Sequence, residues 1–282
     1  MDSNALGALG SGIKVIVCDL DDTLLNSQKQ ISQTNLDAIR AAQKKGVFVT
    51  ICSGRIFTML EAYEQDLNIN GPLITTNGAA IVDSRNKSLL WSHPIDPQCA
   101  LEVMEYCKKL HLDYSALTAE ACYFSKNSVR IKKFAQYNAI AEARGLDTIP
   151  LVYFENDHSI VQGDILKMLI FEITPGDYDK AVKFLNGIDA ISFTSSDEGL
   201  LDISAVNVDK GSGIAQLKRI LNVNKEEVCV FGDYLNDLSM FRESGLSIAM
   251  ENAHAEVKAA ALVTTASNDA DGVAQAIHKY IL

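Results

Sequence analysis

Acidic residues follow a predicted buried strand near the start of the chain. The apolar run 15–18 leads directly into Asp19, Asp21 and Asp22. Carboxylates at the carboxyl end of a central strand face the crevice in which open α/β sheets bind ligands. If the strand persisted, Asp19 and Asp21 would face the same way, and their charges would repel unless a cation lay between them or one held a proton. This pattern favours a hard metal ion beside a carboxylate nucleophile.

Two further segments place polar groups where a predicted strand ends or a predicted helix begins. Ser53 and Gly54 follow the apolar segment 47–52 and offer a hydroxyl and a backbone amide to an anion. Lys210 stands in the first turn of the predicted helix 210–221, where the helix dipole disfavours a cation. That cost is offset if Lys210 contacts carboxylates and a bound phosphate.

A fourth segment repeats the pattern of a strand followed by carboxylates. Asp233 comes just after the predicted strand 228–231, and Asp237 lies one helical turn further on. Neighbouring strand ends would bring Asp233 to face Asp19 and Asp21. Each segment alone is compatible with an ordinary turn or a solvated surface. Together they predict a Mg²⁺ site with a phosphate site beside it.

Composition and net charge limit the class of protein and the partners that it can bind. The 282 residues are 48% hydrophobic and 22% charged, which is typical of a globular protein with a substantial core. A net charge of −11 disfavours nucleic acid and anionic membranes as partners. No run of about 18 apolar residues occurs, and the first twelve residues lack a basic region, so we expect a cytoplasmic protein without a membrane span. None of the six cysteines has zinc-site spacing, so reduced structural cysteines are expected.

The elements that must position these residues alternate between strand and helix at both ends of the chain. Before residue 83 we predict strands at 13–19, 47–52 and 73–75 and helices at 32–45 and 55–65. The same rhythm returns after residue 208, and the intervening stretch mixes paired strands with helices at 97–110 and 129–144. The pattern predicts an α/β fold with a doubly wound parallel sheet made from residues 1–83 and 205–282. Residues 84–204 are expected to form an inserted α+β domain.

The four segments resemble the motifs of the haloacid dehalogenase-like (HAD) superfamily, specifically the Cof-type phosphatases with a large type-IIB cap. The matching segments, in the family's order and spacing, are Asp19-Leu20-Asp21-Asp22-Thr23, Ser53-Gly54-Arg55, Lys210-Gly211 and Gly232-Asp233-x-x-Asn236-Asp237. The segment 75–79 also resembles the one that precedes the cap in these proteins. The resemblance spans nearly the whole chain. Two departures, Tyr234 and Glu251, leave the chemical groups unchanged.

The resemblance implies a role for each matching residue. Asp19 would attack phosphorus and form an aspartyl-phosphate, while Asp21 would act as general acid and then as general base. Mg²⁺ would be held by the Asp19 carboxylate, the Asp21 backbone carbonyl and Asp233, with Asp237 supporting the site. The residues assigned to phosphate binding or its loop are Leu20, Thr23, Ser53, Gly54, Arg55, Lys210 and Asn236.

The same resemblance implies the substrate class and leaves alternatives open. Small phosphorylated metabolites such as sugar phosphates are expected, with the inserted domain serving as a cap that selects the leaving group. The oligomeric state is expected to be a monomer or a small homo-oligomer. A phosphomutase would use the same nucleophile and acid. A receiver-like switch phosphorylated on Asp19 is a further alternative, but such domains are about half this length and have no use for an acid at Asp21.

Overall fold

The computed structural model describes residues 12–155, 161–171, 173–197 and 199–282, so most of the N-terminal segment considered above lies outside the described residues. The chain forms two compact units. The first contains the chain up to Gly54 together with Tyr63–Trp91 and Asp209–Leu282, and the second contains Arg55–Ala62 and Ser92–Val208. None of the helices in the described ranges has the length and apolarity needed to span a bilayer.

The strands and helices are numbered here in chain order. The strands are β1 (Val15–Cys18), β2 (Phe48–Ile51), β3 (Pro72–Thr75), β4 (Ala80–Asp83), β5 (Ser88–Ser92), β6 (Asp113–Leu117), β7 (Cys122–Ser125), β8 (Leu151–Glu155), β9 (Lys167–Phe171), β10 (Ile191–Asp197), β11 (Leu200–Ala205), β12 (Val228–Gly232), β13 (Leu246–Ala249) and β14 (Val263–Thr264). The α-helices are α1 (Gln33–Lys44), α2 (Glu61–Leu67), α3 (Pro97–Lys109), α4 (Ile131–Ala143), α5 (Pro175–Leu185), α6 (Lys210–Leu221), α7 (Leu238–Arg242), α8 (Ala255–Ala260) and α9 (Gly272–Tyr280).

The first unit is built on a five-stranded parallel sheet in the order β14-β13-β12-β1-β2. All four residues of β1 are buried, as expected for an apolar strand covered on both faces. Cys18 pairs with Phe231 on one side and with Ile51 on the other, so the carboxyl ends of β12, β1 and β2 lie side by side. The predicted α/β class with a parallel core sheet is confirmed.

A small three-stranded sheet, β3-β4-β5, completes the strands of the first unit. β3 runs antiparallel to β4 and is joined to the end of β2 by a parallel bridge between Cys52 and Ile74. The sequence predicted a strand here but did not distinguish it from the strands of the main sheet. The bridge places Ser53 next to the end of β3, where the Ser53 amide donates to the Ile74 carbonyl at 3.1 Å.

The second unit contains a six-stranded sheet in the order β10-β11-β9-β6-β7-β8, in which only the β7–β8 pair is parallel. Its core includes Phe124, Phe134 and Leu169, and it also takes in Ile56 and Met59. The segment Arg55–Ala62 therefore packs with this unit rather than with its chain neighbours. That the second unit acts as a substrate-selecting cap stays a prediction.

The structure differs from the sequence prediction at three elements. The expected helix 55–65 is replaced by a short 3₁₀ turn at Phe57–Met59, and α2 begins only at Glu61. Burial of Ile56 and Met59 in the second unit competes with continuous helix in this segment. The sequence reasoning also missed β6 and α5, although α5 carries a clear N-cap in Thr174, whose side chain accepts from the Asp177 amide.

Candidate active site

The turn after β1 separates Asp19 from Asp21. The strand ends at Cys18, and the segment Leu20–Leu24 folds into a tight turn in which Asp22 has a φ of 58°. Asp19 is buried, whereas the side chain of Asp21 is 43% exposed and lies 3.6 Å from Lys29 Nζ. The two carboxylates therefore do not share one strand face, because the strand does not continue past the first of them.

Lys210 lies between two buried carboxylates. Its Nζ is 2.7 Å from Asp19 Oδ1 and 2.6 Å from Asp237 Oδ1. The lysine opens α6, whose N-cap is Asp209, and the next amide, that of Gly211, donates to Ser239 Oγ at 2.9 Å. The contacts with the carboxylates offset the unfavourable position of a cation at a helix N-terminus.

The segment after β12 folds back so that Asp237 faces the end of its own strand. Asp237 Oδ2 accepts from the Asp233 amide at 2.8 Å and from the Tyr234 amide at 3.0 Å. Gly232 makes this possible, since a Cβ at that position would lie 2.6 Å from Asp237 Cβ. Asp233 is in turn oriented by Thr23, whose buried hydroxyl donates to Asp233 Oδ1 at 2.6 Å.

The arrangement fits a divalent cation. Asp19, Asp233 and Asp237 each offer a carboxylate oxygen, and these oxygens all lie within 4.8 Å of one another. Asp237 uses both oxygens for hydrogen bonds, whereas Oδ2 of Asp19 and of Asp233 accepts no hydrogen bond from the described residues. With all four groups ionised, three carboxylates and Lys210 leave a net charge of −2. Hard oxygen donors with an uncompensated negative charge suit Mg²⁺.

Burial and neighbouring charges shift the pKa values of these groups. Burial, reinforced by the charge of Asp237, raises the pKa of Asp19 well above its ordinary value despite the nearby Lys210. Burial likewise raises the pKa of Asp233 to about 6, against the hydrogen bond from Thr23. Burial alone would lower the pKa of Lys210, but Asp19 and Asp237 outweigh it and the pKa is raised. The lysine is therefore charged, and a bound cation would favour the ionised forms of Asp19 and Asp233.

Ser53 lies at the end of β2, beside the cluster. The Cys52 amide donates to the Cys18 carbonyl at 2.9 Å, which fixes this strand end next to Asp19, and the Ser53 carbonyl accepts from Asn77 at 2.9 Å. Gly54 follows and ends this segment of the first unit. Arg55 belongs to the second unit, where its guanidinium lies 4.9 Å from the centre of the Tyr137 ring.

Asn236 and Leu20, the remaining predicted residues, lie in the two turns of the site. Asn236 stands in a 3₁₀ turn between Asp233 and Asp237, and its Oδ1 is buried without a hydrogen-bond partner among the described residues. Leu20 is fully buried at the start of the turn after β1. Its side chain packs inward, so only its backbone can serve a ligand.

Sequence reasoning missed the residues that hold the turn after β1 from the far end of the chain. Asn252 Nδ2 donates to the Asp22 carbonyl at 2.7 Å, and Asn252 Oδ1 accepts from the Asn268 amide at 3.0 Å. Asn268 Nδ2 donates to the Leu25 carbonyl at 2.9 Å. The partners in the bonds to Asp22 and Leu25 are separated by more than 200 residues along the chain, so no local pattern pointed to them. Glu251-Asn252 was noticed only as a departure from the family motif.

The buried lysine and the carboxylates lie at the carboxyl edge of a parallel α/β sheet, the edge at which such sheets bind ligands. Residues 16–277 match the family model of the haloacid dehalogenase-like hydrolases. The chain therefore belongs to that family, as the four sequence motifs indicated.

Individual relatives support this assignment over nearly the full chain. The chain is 30% identical over 289 residues to 5-amino-6-(5-phospho-D-ribitylamino)uracil phosphatase YwtE of Bacillus subtilis, covering 95% of this chain and 98% of the relative. A haloacid dehalogenase-like hydrolase from Bacteroides thetaiotaomicron superposes with a TM-score of 0.83 at 26% identity, covering 95% and 99% of the two chains. The HAD subclass IIB sugar phosphatase BT4131 superposes with a TM-score of 0.77 at 27% identity, covering 94% and 98%. The predicted enzyme class, a phosphatase of this family, is confirmed.

Proposed function

We propose that the protein is a Mg²⁺-dependent phosphatase that hydrolyses small phosphorylated metabolites, including sugar phosphates, through an aspartyl-phosphate on Asp19. The observation that carries this proposal is the buried Lys210 between Asp19 and Asp237, within a cluster of net charge −2. A cation at the nucleophile lets a carboxylate approach an anionic phosphate ester. The remaining negative charge calls for the metal.

In the first step, an Asp19 oxygen attacks phosphorus in line with the leaving alcohol. The bond from Asp19 to phosphorus forms as the bond from phosphorus to the ester oxygen breaks, and Asp21 gives its proton to that oxygen. Lys210 and the Gly54 amide, with Ser53 and Asn236, stabilise the charge on the transferring oxygens. Such preorganised donors supply most of the catalysis in phosphoryl transfer.

In the second step, Asp21 takes a proton from water as the water oxygen attacks phosphorus. The bond between phosphorus and Asp19 breaks, inorganic phosphate leaves, and the Asp19 carboxylate is restored. When bound, Mg²⁺ would be held by Asp19 and Asp233, with Asp237 supporting them, and would supply neutralisation of the phosphoryl charge. Thr23 keeps Asp233 oriented for this purpose.

The substrate class rests on the relatives and on the charge of the site. The named relatives include a phosphatase for a ribitylamino-uracil phosphate and a sugar phosphatase. Both names describe small phosphorylated compounds, which supports the same class for this chain. A protein with a net charge of −11 also disfavours nucleic acid as the phosphorylated substrate.

The test is phosphate release from p-nitrophenyl phosphate and a set of hexose phosphates, with Mg²⁺ and with EDTA, for the wild type and Asp19→Asn. We expect turnover that requires the metal and falls by at least about a thousandfold in the variant, because the amide is a poor nucleophile. Release that survives Asp19→Asn would overturn the mechanism. Transfer of phosphate between hydroxyls of one sugar without net release would identify a phosphomutase instead.

A further inference from the structure

Lys29 contacts the predicted general acid but belongs to none of the sequence motifs. Its Nζ lies 3.6 Å from Asp21 Oδ1 and 2.9 Å from Asp22 Oδ1. Its backbone has a φ of 59°, in the left-handed region that favours glycine or asparagine. A long cationic side chain is thus held over two acidic side chains from a backbone conformation that lysine seldom adopts.

The turn that carries Lys29 is tightly constrained. Asn26 closes it, since its carbonyl accepts from the Lys29 amide at 2.8 Å and its Oδ1 accepts from the Gln28 and Gln30 amides at 3.0 Å. Ser27 anchors the turn to the far end of the chain, where its amide donates to Asp269 Oδ1 at 2.8 Å. These contacts fix the point from which the lysine side chain extends.

Several contacts secure the turn after β1, and they act on groups other than the Asp21 side chain. Thr23 binds the Asp233 side chain, and Asn252 and Asn268 bind the carbonyls of Asp22 and Leu25. These bonds set the path of the backbone but do not orient the Asp21 carboxylate, which is 43% exposed. An exposed ion pair adds little to stability, so the effect of Lys29 on orientation is what matters.

We infer that Lys29 is a positioning residue that orients the carboxyl group of Asp21 for proton transfer to and from the substrate. The inference rests on the proposed function, in which Asp21 is the general acid and base. Proton transfer requires the acid within hydrogen-bonding reach of the leaving oxygen. The pair with Lys29 restricts the rotamers of Asp21, and the constrained turn restricts Lys29.

The experiment compares substrates that differ in their need for an acid. Alkyl leaving groups such as those of hexose phosphates need a proton, whereas p-nitrophenolate leaves without one. The variants are Lys29→Met, which removes the charge and shortens the side chain by one atom, Lys29→Arg, which keeps the charge, and Asp21→Asn. Lys14→Met is the matched control, because Lys14 also forms an exposed ion pair but lies before β1, at the opposite end of that strand from Asp19. Single-turnover rates, kcat and KM are measured with both substrate types, and thermal unfolding verifies that each variant is folded.

We expect Lys29→Met to lower the single-turnover rate with hexose phosphates about tenfold, with KM changed by less than about twofold. The burst of p-nitrophenol should change little, Lys29→Arg should restore most of the loss, and Lys14→Met should behave as the wild type. Unchanged rates in Lys29→Met, beside an inactive Asp21→Asn, would overturn the role of Lys29 and leave the phosphatase mechanism standing. An equal loss with both substrates, or a raised KM, would assign Lys29 to substrate binding and also overturn it. Full hexose phosphatase activity in Asp21→Asn would instead refute the general acid of the proposed function.

Discussion

Lys210 shows at the scale of a single residue why the site is costly to fold. Its side chain is almost completely buried together with Asp19 and Asp237. Removing charges from water costs several kcal/mol per ion, and a buried ion pair often stabilises a protein no better than apolar residues would. An arrangement of three buried acids and one lysine is therefore better explained by the chemistry it performs than by the stability it gives.

Lys210→Met removes the charge and shortens the side chain by only one atom. The variant leaves Asp19 and Asp237 buried beside each other without their cation, so we expect the free energy of unfolding to fall by about 3–5 kcal/mol. Urea unfolding at neutral pH in EDTA measures this loss. Lys180→Met is the control, because Lys180 forms an exposed pair with Asp177, and it should leave the free energy of unfolding nearly unchanged. A loss below about 1 kcal/mol in the Lys210 variant would show that Lys210 does not stabilise the carboxylates.

At the scale of elements, glycines at strand and helix ends set how closely the parts of the site approach. Gly232 ends β12 where the Asp237 side chain folds over it, and Gly211 packs against the Ser239 carbonyl. Gly78, at a φ of 94°, leaves no space for a Cβ because the Asp209 carbonyl would lie 2.0 Å from it. These contacts bring the strand ends and the start of α6 together, and they place Lys210 on the carboxylates.

Gly232→Ala tests this close approach. Its Cβ would lie 2.6 Å from Asp237 Cβ, so either the turn or the Asp237 side chain must move. We expect a loss of about 1–3 kcal/mol in the free energy of unfolding and a fall in phosphatase activity, because Asp237 also holds Lys210. Gly176→Ala is the control, since a Cβ there meets no atom within 4 Å, and it should not destabilise the protein. Equal behaviour of the two variants would contradict the argument.

The elements of the first unit could largely be predicted from the sequence, because each signal was local. The bounds of α6 agree with the predicted helix 210–221, and α6 carries a capping box at Asp209. The helix prediction for the segment Arg55–Ala62 was wrong because the apolar residues of this segment pack in the second unit. No local periodicity reveals such packing. The motifs correctly predicted that Asp19, Asp233 and Lys210 lie close together, because strand ends align in a parallel sheet. The contacts of Lys29 and Asn252 depend on side-chain placement across the fold, which the spacing of residues does not specify.

At the scale of the whole molecule, the negative charge of the site lies within a chain that is negative overall. The chain carries a net charge of −11, and the cluster of three carboxylates with Lys210 is itself negative when ionised. A divalent cation is attracted both by the local deficit and by the overall field. Protons and the metal ion compete for the same carboxylate oxygens. Metal binding therefore depends on pH, and the free energy of unfolding depends on both.

The stability of the metal-free protein should therefore fall as the pH rises. Burial raises the pKa of Asp233 from 3.8 to about 6, and the pKa of Asp19 is raised in the same sense. A group whose pKa is higher in the folded state contributes stability that is present below its unfolded pKa and is lost as the pH passes its folded pKa. Between about pH 4 and pH 6.5, the ionisation of Asp233 alone should lower the free energy of unfolding by about 2 kcal/mol. Mg²⁺ binds the ionised carboxylates, so it should raise the melting temperature more at about pH 7.5 than at about pH 5. Thermal unfolding with Mg²⁺ and with EDTA, across this range, measures both effects. Asp233→Asn should flatten the pH dependence and weaken the response to Mg²⁺, and an equal Mg²⁺ response at both pH values in the wild type would contradict this linkage.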